Sequence, residues 1–258
     1  MTSPDGTLRT LHQKVDRLSA READVVGAFI DAILTPMYSE SLSETWLASI
    51  AWTEAFAARL QGYHALSAEP LGTIQFEAAF NHSCQVAGWH VEAAESPTQQ
   101  FYDTTISETK GALKRLSLKA SSAKDMIPSK VHISKLTEGA WIQDARKQVD
   151  RRNRIVQLFQ NYQESTSAIF MLRGFKGRGG FQVLYELVEI PTSIFDPVIG
   201  LNVAQAQKGT INIPPGATRH NRHFAIRIDR SDAKVTLTGI RLDKCVVHGR
   251  WGLPDPGL

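Results

Sequence analysis

Residues 101–121, FYDTTISETKGALKRLSLKAS, decide how this chain reads. The first six, FYDTTI, are rich in β-formers and carry Asp103 in mid-strand. From 112 to 121 the sequence ALKRLSLKAS alternates, with Leu113, Leu116 and Leu118 set among polar residues. Gly111 and the polar ISETK stretch predict a turn that joins the two runs as a hairpin. In a strand, residues two apart share a face, so Lys119 projects with Ser117. A carboxylate and a lysine on neighbouring strands suit metal-dependent phosphodiester cleavage. The acid holds a divalent cation that activates water, and the ammonium stabilises the charge that develops.

Outward from the hairpin, GTIQFEAAFNHSCQVA (72–87) reads as a helix with Thr73 as N-cap, Gly88 as its stop and Glu77 near its middle. A short strand is expected at 89–94. Residues 134–163 read as a long basic helix, with an interruption near Gly139 or Asp150. AIFMLR (168–173) reads as a buried strand, GFKGRGG (174–180) as a loop and FQVLYELVEI (181–190) as a strand ended by Pro191. Between 205 and 251, short β-segments alternate with Gly, Pro and Asp turns. Residues 1–70 read as helical, with capping boxes at Ser19/Glu22 and Ser41/Glu44.

The 258 residues fit one large domain, or a domain with a lobe. Cys84 and Cys245 have no metal-ligand spacing and read as reduced thiols. No apolar run is long enough to cross a bilayer and no signal peptide is apparent, so an intracellular, cytoplasmic protein is expected. The net charge of +3 conceals an asymmetry: residues 110–178 hold 15 Lys and Arg against 5 Asp and Glu. Positive charge gathered around the Lys119 strand points to a polyanionic partner, against the plainer reading of a solvated basic face. Candidate phosphate or base contacts are Ser121, Lys124 and Arg173, the helical cations Arg146, Lys147, Arg151, Arg152 and Arg154, the glycine-loop pair Lys176 and Arg178, and Arg219 with Arg222. The glycine loop lacks the Gly-Lys-Ser/Thr ending of a P-loop, and the histidines lack zinc spacing with the cysteines.

The order from 73 to 173 is helix, strand, strand, strand, helix, strand, with Glu77 on the first helix, Asp103 on the second strand and Lys119 on the third. This resembles the PD-(D/E)XK nuclease superfamily, and within it type II restriction endonucleases. The resemblance implies an α/β (mixed α+β) fold: a restriction-endonuclease-like αβββαβ core over 71–190, an N-terminal helical subdomain over 1–70, and a β-rich C-terminal part of the same globular unit over 191–258. It further implies that Asp103 is the central metal ligand, Lys119 the catalytic lysine and Glu77 an additional ligand for Mg²⁺. The chain departs from the pattern at two places. Ser117-Leu118-Lys119 has serine where the family carries a second acid, and Tyr102 stands in place of the motif's proline. Serine brings no negative charge to Mg²⁺, so Glu77, or else Glu108, takes over, with Glu77 favoured. The implied activity is Mg²⁺-dependent, site-specific cleavage of double-stranded DNA by a bacterial homodimer of a restriction-modification system. A repair or recombination nuclease of the same fold and a non-cleaving DNA-binding protein are the alternatives.

Overall fold

In the computed structural model, which describes residues 4–255 apart from 44, 46, 48, 95–100, 108–110, 140, 145, 146 and 230, the chain begins with α1 (Pro4–Val15), α2 (Ala20–Leu34), β1 (Tyr38–Ser41) and α3 (Ile50–His64). It continues through α4 (Thr73–Val86), β2 (His90–Ala93), β3 (Thr104–Ser107), β4 (Lys114–Ser121) and β5 (Lys130–Glu138). Then come α5 (Trp141–Asp144), α6 (Gln148–Ser165), β6 (Ala168–Arg178) and β7 (Phe181–Pro191). A 3₁₀ segment (Thr192–Gly200) leads to α7 (Val203–Ala206), β8 (Thr210–Ile213), β9 (Phe224–Asp229), β10 (Lys234–Arg241) and β11 (Val246–Pro254).

The fold is mixed α/β. A seven-stranded sheet runs β1-β11-β7-β6-β4-β3-β2, and a four-stranded sheet runs β5-β10-β9-β8. In the larger sheet β4 and β6 are parallel and the other pairs antiparallel, because α6 carries the chain from one to the other as a crossover. β6 and β7 are apolar on both faces because both faces are covered. Phe170 and Leu172 enter a core with Phe56 of α3, Phe76 and Phe80 of α4, and Trp251. Ile169 and Met171 enter the opposite core, with Ile155 and Phe159 of α6 and with Ile226 and Leu237 of the smaller sheet. The first core is aromatic. Trp52 stacks on Phe56 at 4.9 Å and meets Trp251 edge-on at 6.2 Å. Replacing one such buried ring with alanine costs about 3–5 kcal/mol.

Local signals hold at several termini. Ser19 and Glu22 form the expected reciprocal box at α2, and Gly88, at φ 84°, ends α4 in the left-handed region. Elsewhere tertiary pairing overrides them. Ser41 lies in β1, which pairs with β11, and α3 is capped instead by Ser49, whose hydroxyl accepts from Trp52 N at 3.3 Å. Glu44 lies outside the described residues. The N-cap of α4 is Gly72, one residue before Thr73. Residues 134–138, where a helix is expected, are instead the second half of strand β5. Val131 and Ile133 alternate with exposed His132 and Ser134, and pairing with β10 buries them in the second core. The glycine stretch is likewise mostly strand: β6 runs on through Arg178 and only Gly179 and Gly180 turn.

Candidate active site

The corner containing Asp103 is made by an uneven ladder. β3 begins at Thr104, opposite Leu116, while β4 runs on to Ser121. Asp103 therefore sits one residue before the strand and not within it. Its N–H donates to Leu116 O at 2.8 Å, and its side chain then takes over where the β3 backbone is missing. Leu118 N–H, on the β3 side of β4, donates to Asp103 Oδ2 at 2.6 Å. Lys119 Nζ donates to the same oxygen at 2.9 Å and Ser117 Oγ at 3.2 Å. The period of two explains the set: Leu116 and Leu118 enter the aromatic core while Ser117 and Lys119 turn toward Asp103. The Lys119 and Asp103 side chains are 20% and 28% exposed, so the pair lies in a partly desolvated notch open to solvent.

Two residues of α6 and the α6–β6 junction brace this corner, and the sequence reading missed both. Tyr162 is fully buried, and its hydroxyl faces Ser117 without closing a hydrogen bond of full geometry. Burial pushes that phenol well above the usual tyrosine range, and the negative charge of Asp103 adds to the effect while Ser117 opposes it. The Phe101 ring packs edge-on against Tyr162 at 5.4 Å. Phe101 has φ 78°, a conformation that costs a non-glycine residue of order 1–3 kcal/mol, and Thr166 Oγ1 donates to its carbonyl at 2.7 Å. The backbone two residues before Asp103 is thus set by a ring contact and a buried hydroxyl. A phenylalanine with positive φ and a threonine 65 residues away leave no local sequence signal. Tyr102, at the place of the motif's proline, lies beneath the Arg115 guanidinium at 5.5 Å.

Glu77 reaches the corner from α4. It is half-buried, and its carboxyl is raised above the ordinary value first by desolvation and next by the charge of Asp103, with Lys119 opposing. The fold thus gathers Glu77, Asp103 and Lys119 within electrostatic reach of one another. Glu108 lies outside the described residues.

The candidate contact residues divide. Lys124, Lys176 and Arg178 line a 740 Å³ cleft beyond the end of β4, with Glu69 on its wall. Ser121 and Lys124 border a 330 Å³ cavity on the other side, and Arg222 lies near its Gly239 edge. Arg222 is half-buried, with one guanidinium nitrogen donating to Asn212 Oδ1 at 2.8 Å. Burial first, and then the nearby Arg219, draw its pKa down. Lys147, Arg154 and Arg219 are exposed. Arg151, eleven residues before Tyr162 on α6, stands about 16 Å from it along the helix axis. The turn bearing Arg151 is therefore remote from Asp103. Arg152 ties α6 to the 3₁₀ segment by donating to Leu201 O at 2.7 Å and Ile199 O at 3.0 Å. Arg173 is a correction to the sequence reading. It is 1% exposed, pairs with Glu186 at 2.6 Å and donates to Ile127 O and Pro128 O, so it holds the fold and cannot reach a nucleic acid. Arg146 lies outside the described residues.

The family model of SmaI, type II site-specific deoxyribonuclease, matches residues 15–253. The chain belongs to this family. The type II restriction enzyme SmaI of Serratia marcescens is 29% identical to it over 222 residues, covering 79% of this chain and 81% of that enzyme. No solved structure matches the chain. The match takes in β1–β10, all but the last residue of β11, and α2–α7, so the corner at Asp103 and the cleft beyond it both fall within the region that defines this type II deoxyribonuclease family. Among the described residues no helix is long and apolar enough to cross a membrane.

Proposed function

We propose that this deoxyribonuclease cuts double-stranded DNA at the Asp103–Lys119 corner, using a PD-(D/E)XK-type site within a restriction-endonuclease-like core. The core would be α4-β2-β3-β4-α6-β6, within residues 71–190. In its support, β2, β3, β4 and β6 are successive neighbours in the sheet, α6 connects the parallel pair, and α4 and α6 pack on opposite faces. The observation that carries the proposal is the convergence of Lys119 Nζ, Leu118 N–H and Ser117 Oγ on one oxygen of Asp103 beside a second, half-buried carboxyl.

The donor set fits a hard divalent cation. Asp103 and Glu77 offer oxygen alone, and the rise in the Glu77 pKa caused by Asp103 is the repulsion a cation would relieve. Mg²⁺ keeps several waters and can be held by one or two carboxylates, which Asp103 and Glu77 would supply. When bound, Mg²⁺ supplies charge neutralisation at the scissile phosphate and acidifies the attacking water. Asp103 and Glu77 would hold it. The Lys119 ammonium, oriented by Asp103, would stabilise negative charge developing on the phosphate. Ser117, a neutral hydroxyl that donates to Asp103, brings no negative charge to a cation, and Glu77 would take the role of the missing acid. Lys124, Lys147, Arg154, Lys176, Arg178 and Arg219 would contact DNA. Cutting both strands of a palindrome pairs two copies of the chain about a two-fold axis.

Phage λ DNA incubated with the full-length protein tests this. Discrete fragments that require Mg²⁺, vanish with EDTA and are lost in Asp103→Ala and Lys119→Ala are expected. Intact DNA under every condition would sink the proposal, as would variants that cut normally.

A further inference from the structure

The β6–β7 hairpin runs on past the end of β4, and its two cations are held differently. The strands stay paired from Ala168↔Pro191 to Arg178↔Phe181, so the arm is a stiff ribbon out to its tip. Gly177, Gly179 and Gly180 have φ of 60°, 64° and 82°, so residues with a Cβ are disfavoured around the turn. Lys176 pairs with Glu69, 2.5 Å away, in an exposed ion pair. Arg178 has no carboxylate partner among the described residues; its guanidinium lies over the Phe175 ring at 4.6 Å. That ring is buried and also meets the Arg173 guanidinium at 4.8 Å, which Glu186 anchors in turn. Arg178 is exposed and lines both the 740 Å³ cleft and a 610 Å³ cleft on the other side of the hairpin.

We infer that Arg178 is a specificity-determining residue that reads a guanine edge in the DNA groove, with Phe175 as its stacking platform. This rests on the proposal that DNA is cut at Asp103 and Lys119. Reading a base differs from holding a phosphate in what it asks of the side chain. A guanidinium stacked on a ring has given up much of its rotamer freedom before binding, while its N–H edges stay directed outward. Two parallel donors from such a planar fork match O6 and N7 of guanine. The placement also fits. Arg178 lies seven residues beyond Met171, which pairs with Lys119, so it sits about 23 Å along the ribbon, less than one turn of duplex.

The test uses the full-length protein and a short duplex carrying the site mapped from its own λ-DNA fragment ends. kcat/KM is measured for wild type, Arg178→Ala and Arg178→Lys on that duplex, and on duplexes with 7-deazaguanine replacing each guanine in turn. Arg178→Ala is expected to lose about 10–100-fold on the unmodified duplex. Wild type should lose rate at one 7-deaza position, and Arg178→Ala should show no further loss there. Arg178→Lys should fall below wild type, because a point charge lacks the planar fork. A 7-deaza penalty unchanged in Arg178→Ala at every position would make Arg178 a phosphate contact and overturn the inference. So would a mapped site without guanine, or no loss in Arg178→Ala. Failure of the wild-type protein to cut λ DNA would instead strike the underlying nuclease proposal.

Discussion

The two sides of the Asp103–Glu77 corner are held by different means. On the β3–β4 side, Asp103 accepts three hydrogen bonds on one oxygen, and Phe101 two residues before it is braced by Tyr162 and Thr166. On the α4 side, Glu77 is placed by its helix alone, half-buried and coupled to the corner through charge. The first arrangement acts through directional hydrogen bonds; the second acts through burial and charge. A site that must orient a lysine and also accept a cation benefits from both, because positioning needs rigidity while ligand entry needs an adaptable donor.

The largest test of this contrast is removal of the rigid pair. Asp103→Ala and Lys119→Ala are expected to lower kcat by roughly 10²–10³-fold or more while leaving DNA affinity in EDTA nearly intact, as read by gel shift. Glu77→Gln should fall between: kcat drops, and the Mg²⁺ concentration for half-maximal rate rises severalfold, which metal titration of the initial rate would show. An unchanged metal requirement would make Glu77 a bystander.

Thr166→Val probes the brace without touching the corner. Losing the bond to Phe101 O should cost about 1 kcal/mol. That is a fall in Tm of roughly 2–4 °C, with kcat reduced and the KM for DNA unmoved. Equal effects on kcat and KM would mean the brace supports binding in general.

Arg154→Ala and Lys147→Ala address the exposed basic end of α6, outside both halves. Each should weaken cognate and non-cognate DNA alike and reduce the slope of log K against log salt by about 1, with kcat unchanged.

The smallest effect concerns stability. His64 is held as a neutral ring: Nδ1 lies 2.8 Å from Ser67 O and Nε2 2.7 Å from the Tyr185 hydroxyl, which itself accepts from Leu71 N. Burial lowers its folded pKa below the ordinary 6.5, with the Ser67 contact opposing. The unfolded chain therefore takes up the proton first as pH falls below about 6.5, so this contribution is present above that pH and declines beneath it. Urea melts between pH 5 and 7.5 should show a shallower acid-side loss in His64→Gln than in wild type.

Legibility in the sequence followed the range of the interaction concerned. The alternation at 112–121, the box at Ser19 and Glu22 and the stop at Gly88 depend on neighbours a few residues apart, and they read correctly. Residues 134–138 did not, because the partner that makes them a strand, β10, lies about a hundred residues further on. Arg173 read as a surface cation because nothing near it announces Glu186 as its buried partner.

The sequence by itself determined that Ser117 and Lys119 share a face, that an acid precedes them across a turn, and that positive charge collects around them. These follow from the two-residue period of a strand and from composition. Only the tertiary structure decided that β3 begins one residue after Asp103, so that its carboxylate caps Leu118 N–H, that Glu77 arrives from a separate helix, and that Tyr162 and Thr166 stand behind them. Those outcomes depend on which strands pair, in what register and against which helix. That choice is made by burying two cores at once, and no short stretch of the chain contains it.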